Sequence, residues 1–157
     1  MHMLMHHPLV EKLRSSGSRG VGLAVLRLMV GIAFISHGMM KLNGLEGAVR
    51  FFASRGIPMA EFMAPFVSTV EVVGGILLIL GLVARFAGLA LAFDMAVAVL
   101  TGLAKPTWQA HELELILFGS AVMFLLHGAG KFSLDAVLMK KGMKEHDHAM
   151  PVIEKAK

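Results

Sequence analysis

The sequence predicts an all-α protein: an integral membrane four-helix antiparallel bundle, with a short interfacial helix between spans 1 and 2. Three observations predict it. Hydrophobic residues are 56% of the 157, and the mean hydropathy is +0.71, too apolar for an ordinary soluble domain. Four apolar runs approach or exceed the roughly 20 residues that a helix needs to cross a bilayer. Each run also carries ionisable side chains. Charges facing lipid are costly, so four charge-bearing spans imply a shared polar interior.

The elements follow in order. Residues 1–19 form a basic tail with Lys12, Arg14 and Arg19. The first span runs from Val21 to Met40; it is too long for a signal-peptide core, contains Arg27 and is expected to be retained. Residues Lys41 to Glu61 are amphipathic, with Leu45, Ala48, Val49 and Phe52 at helical spacing, and close at Gly56-Ile57-Pro58. The second span is Phe62 to Ala84, and its central acid is Glu71. A tight turn near Val83-Ala84-Arg85 leads to the third span, Phe86 to Ala104, with Asp94. Lys105 to Trp108 turns the chain again, with Trp108 suited to the headgroup level. The fourth span, Ala110 to Leu126, begins with His111, Glu112 and Glu114. After Gly128 and Gly130, Ser133 is placed to cap a short helix from Leu134 to about Gly142. Residues 20–138 thus form the membrane domain and 139–157 a polar tail. Helices are the only open-chain solution, because lipid cannot satisfy free backbone groups.

Charge distribution predicts orientation. Lys12, Arg14, Arg19, Arg85, Lys131, Lys140, Lys141, Lys144, Lys155 and Lys157 fall on the side of the termini, ten against Lys41, Arg50, Arg55 and Lys105 on the other. The excess places both termini in the cytoplasm. The net charge of +4 therefore speaks to anionic lipid, and no nucleic-acid motif accompanies it. Absence of cysteine excludes thiolate nucleophiles and Cys-ligated zinc or iron–sulfur clusters. The histidines at 2, 6 and 7, at 146 and 148, and His111 with Glu114 lack the spacing of a metal site, and none is assigned. The glycine-rich GLEG and HGAGKF lack the spacing of a phosphate loop.

The candidate polar cluster comprises Arg27, His37, Lys41, Glu71, Asp94, Glu112 and Glu114. At about 1.5 Å rise per residue, Arg27 lies roughly 10 Å, Asp94 roughly 14 Å and Glu71 roughly 17 Å from the side of the termini. Arg27 is therefore expected to pair with Glu71 or Asp94, either in a purely structural ion pair or in ligand and proton handling. His37, Lys41, His111, Glu112 and Glu114 are expected to form a second cluster opening to the far side. Arg27, Gly31, Phe34, Gly38 and Lys41 share one stripe of the first span, and Ser68, Glu71, Gly74, Gly75 and Leu78 share a face of the second.

These residues resemble the DoxX family of small four-span membrane proteins. The resemblance rests on Arg27 followed by GIAFISHGMMKL (Gly31 to Leu42), Gly56-Ile57-Pro58, Glu71 with Val72-Val73-Gly74-Gly75 and Gly81, an acid at Glu112 or Glu114, and HGAGKFSLD (His127 to Asp135). It covers roughly Gly20 to Leu138. The family includes a subunit of a thiosulfate:quinone oxidoreductase and members tied to redox stress or to metal-linked peptide gene clusters. The resemblance implies an inner-membrane subunit associated with redox chemistry, with a quinone as the cofactor it allows and a soluble redox enzyme or a second copy of the chain as partner. The alternative is a non-catalytic scaffold or small-molecule binder that anchors a soluble partner. A proton-coupled carrier fits less well, because four short spans leave little room.

Overall fold

A computed structural model describes residues 16–102 and 112–149. Six helices account for the described chain: α1 (Ser16–Asn43), α2 (Leu45–Ser54), α3 (Ala60–Leu80), α4 (Ala84–Gly102), α5 (Glu112–His127) and α6 (Leu134–Ala149). No strand occurs among the described residues. Helices α1, α3 and α4 are each long and apolar enough to span a bilayer. Helix α5 has 16 residues and follows a segment, 103–111, that lies outside the described residues. That segment holds the expected Lys105–Trp108 turn and His111. The histidines near the N-terminus and the last eight residues of the C-terminal tail lie outside them too.

The bundle consists of two antiparallel pairs, α1 with α3 and α4 with α5, joined through α3 and α4. Small residues set the first pair. A Cβ on Gly31 would lie 2.8 Å from the Gly75 carbonyl oxygen, and one on Gly75 would lie 2.7 Å from that of Gly31. The two backbones touch, which only glycine on both sides permits. Gly38 meets Ser68 in the same way, and Gly88 brings α4 onto Ala121 and Leu125 of α5. Phe34, Leu78, Leu91, Leu117 and Phe124 fill the core between the pairs. The outward faces are apolar, with Ile32, Phe86, Leu100, Ile116 and Leu126 largely exposed. An exposed apolar belt of this extent marks a bilayer-facing surface.

Helix α3 stops earlier than its hydropathy suggests. Gly81 adopts φ +67°, where glycine is unstrained. The Leu82 N–H donates to the Leu77 carbonyl and that of Gly81 to Leu78, closing the end. Helix α2 is the expected interfacial helix: Phe52 is its buried residue, and Phe51, Ala53 and Ser54 stay exposed. It ends at Arg55 and Gly56, whose N–H groups donate to Phe52 and Ala53. Helix α6 runs to Ala149, past the expected Gly142. Two ends of the bundle are thereby defined. The turn end holds Gly81–Val83 and residues 128–133; the far end holds α2.

Gly75→Val should force α1 off α3 and cost about 1–3 kcal/mol, the usual range for overpacking. Gly119 faces open space, so Gly119→Ala should be neutral or stabilising by up to about 1 kcal/mol. Thermal unfolding of the purified protein in detergent would separate the two, and a Gly75→Val variant as stable as the parent would refute the close helix contact.

Candidate functional site

Two polar clusters were expected, Arg27 with Glu71 or Asp94 and a second opening to the far side, and the structure groups the residues differently. At the turn end stands Arg27. Its two terminal nitrogens donate to the carbonyl oxygens of Ala129 and Phe132, each at 2.6 Å. Gly81 lies against the same guanidinium; a Cβ there would sit 2.6 Å from it. Asp135 completes the junction. Its carboxylate accepts from the N–H groups of Val83 at 3.0 Å and Ala84 at 3.4 Å, capping α4, while its own N–H donates to the Gly81 carbonyl. Val83 has φ 45°, a region costly for a β-branched residue, and the bond to Asp135 helps hold it there. Ser133 caps α6 as expected, accepting from the Ala136 N–H at 3.2 Å.

The expected pairing of Arg27 with Glu71 or Asp94 is therefore corrected. The reason is register. Gly31 packs level with Gly75 and Ile79, which puts Arg27 beside the end of α3, about 15 Å along the axis from Glu71. Helical side chains lean toward the N-terminus, which carries Lys41 back to the depth of Glu71.

Lys41 is the partner of Glu71. Its ammonium donates to both carboxylate oxygens, at 2.7 and 2.8 Å. Glu71 is 1% exposed, and Lys41 remains partly accessible beneath the Phe52 ring, 6.0 Å from its centroid. Asp94 lies alongside Glu71, within electrostatic reach of both members of the pair, and its Oδ2 is buried without a hydrogen-bond partner among the described residues. One ammonium thus faces two acids, and the trio is neutral only when one carboxyl group carries a proton.

This trio lines a cavity of about 840 Å³ between α1, α2, α3, α4 and α5, within the range of small-molecule sites. His37 and Glu114 also line it, so the two expected clusters are one. Glu112 does not line it and is exposed, which settles which fourth-span acid faces inward: Glu114 shares the stripe of Leu117, Ala121 and Phe124. Sequence reasoning missed Arg55. Its guanidinium lies over the Phe51 ring at 4.7 Å, its Nε has no hydrogen-bond partner among the described residues, and it lines the cavity. The Phe51–Arg55 spacing of four residues was the available signal. Among the described residues no group of three or more acids or histidines is placed to hold a metal ion.

A bundle of membrane helices enclosing a lysine–carboxylate cavity defines the class: a small multi-span membrane protein with a buried ionisable site. The DoxX family model matches residues 22–104, and this chain belongs to that family. It is 32% identical to "Putative oxidoreductase CatD" of Bacillus subtilis (strain 168), over 76% of this chain and 89% of that one. It is 28% identical to "Inner membrane protein YqjF" of Escherichia coli (strain K12), over 77% and 95%. It is 35% identical to "Uncharacterized membrane protein Rv3486" of Mycobacterium tuberculosis, over 74% and 80%. No solved structure matches the chain.

Removing only the cation should expose the cost of the trio. Lys41→Met leaves two acids without their counter-charge and should lower stability by about 3–5 kcal/mol. Lys41→Met combined with Glu71→Leu should recover most of it, as measured by unfolding in a detergent titration. At the turn end, Arg27→Lys cannot serve two carbonyls with one fork and should speed proteolysis between Gly128 and Asp135.

Proposed function

We propose that the protein is an inner-membrane redox-associated subunit whose cavity binds a quinone, with both termini in the cytoplasm. The observation that carries this reading is the cavity's composition. Its walls are largely apolar and aromatic, and Lys41, Glu71 and Asp94 meet on one side of it. That suits a ring with two carbonyl oxygens. Lys41, His37 and Arg55 are the donors for those oxygens. Glu71, Asp94 and Glu114 are the groups that pass protons. Reducing a quinone to a quinol takes two electrons and two protons. The protons come through the acids, and the electrons come from a soluble redox partner docked at the cytoplasmic side. The oxidoreductase name of the Bacillus relative and the inner-membrane name of the Escherichia relative support the reading.

One observation favours the alternative, an anchoring scaffold without chemistry of its own. Leu134, Val137, Leu138 and Met139 of α6 are exposed beside Lys140 and Lys141, a surface that a soluble partner could cover. The two readings separate experimentally. Purified protein in nanodiscs should bind a quinone analogue, and Arg55→Gln, which removes one charged donor, should weaken that binding about tenfold, the worth of one charge-assisted contact. No binding by the parent, together with a co-purifying partner that tolerates Arg55→Gln, would sink the quinone reading and leave the scaffold.

A further inference from the structure

Phe93 belongs to two surfaces at once. It lines the cavity, and it is 73% exposed on the outside of the bundle. Phe66 of α3 does the same at 52%. A side chain can line a cavity and face outward only where the cavity reaches the outer surface. That place is the seam between α3 and α4. The helices close on each other where Leu91 packs within 3 Å of the position a Cβ on Gly74 would take. Farther from the turn end, Val70 and Val97 pass from seam to cavity wall together with the two phenylalanines.

The height of the opening decides what can enter. Helix α4 has 19 residues, about 28 Å, and Phe93 has nine of them on each side. The Phe93 edge of the opening therefore lies at the middle of the hydrocarbon layer, and the Phe66 edge, six residues into α3, lies nearer the far end but still within an apolar span. A water-soluble molecule would have to cross hydrocarbon to reach it. The inner wall is different. Glu71 and Asp94 follow Val70 and Phe93 by one residue, so the acids stand directly inside the opening. Asp94 Oδ2 and Arg55 Nε are both without partners there among the described residues.

We propose that this cavity is entered sideways from the bilayer, through the Phe66–Phe93 window, by a tailed amphipath. Its oxygen-bearing head reaches the Lys41–Glu71–Asp94 trio, and its hydrocarbon tail stays in the window against the two rings. The tail is then part of the recognition. The head is fixed by charge-assisted hydrogen bonds and the tail by apolar contact at bilayer depth. The choice of a quinone head as probe rests on the function proposed above; the route and the tail requirement stand on the window.

The test compares the decyl-tailed and tail-free forms of one dimethoxybenzoquinone, binding to the full chain in nanodiscs. The parent should prefer the tailed form beyond its partitioning into protein-free nanodiscs. Phe93→Trp narrows the window and should reduce the tailed-to-tail-free preference about tenfold, the equivalent of roughly two methylenes out of contact. Phe66→Trp should do the same from the opposite side, which keeps the test alive if one variant does not fold. Phe86→Trp, on α4 and exposed but outside the cavity, should leave the preference unchanged. A preference unaffected by both window variants would overturn the inference while leaving the quinone reading intact, and would direct entry to the far end beside Met40. Failure of both probes to bind the parent would overturn both.

Discussion

The ion pair between Lys41 and Glu71 is the constraint around which the far half of the bundle is arranged. A carboxylate buried at mid-span needs a cation that stays with it. Lys41 can stay only because α1 and α3 approach closely along Gly31, Gly38 and Gly75, which fixes their register. It cannot seal the site, because it is partly accessible and a second acid lies beyond it. The outcome is an interior with polar groups left to satisfy and space beside them. A protein selected only for a stable bundle would fill such a space with leucine, since apolar replacements of buried pairs are often neutral or stabilising.

Much of the fold was legible because bilayer physics leaves few options. Hydropathy located the spans, and the alternation of Gly, Ser and Glu71 on one face of the second span identified the side that α3 buries. Even the inward acid was within reach: Glu114, not Glu112, is in phase with Leu117, Ala121 and Phe124. The partner of Glu71 was not legible. Depth along one helix, counted from the first apolar residue, says nothing of how two helices slide against each other. About four turns of helix separate Arg27 from Lys41, and the contact between Gly31 and Gly75 decides which of them meets Glu71. Arg55 was hidden for another reason. A charge at the end of an amphipathic helix usually serves the headgroups, and only the packing of α2 over the bundle turns this one inward.

The two ends also differ in how they use backbone and side chain. At the turn end, polar groups are consumed locally: Arg27 by two carbonyls, Asp135 by two N–H groups, Ser133 by its own turn. At the far end they converge from four different helices and are incompletely matched. Satisfied networks rigidify, and unsatisfied ones leave work for a ligand or water. This contrast separates a clasp from a site more surely than the identity of the residues, since both ends contain arginine, acid and glycine.

The clasp at Arg27 links the beginning of the membrane domain to its end. The carbonyls that receive the guanidinium lie more than a hundred residues downstream, in the stretch that follows the last hydrophobic helix. During synthesis the first helix must therefore wait, its arginine served by water or headgroups, until the final segment emerges. Assembly of this end is completed only when residues 129–132 have been made and folded back onto α1.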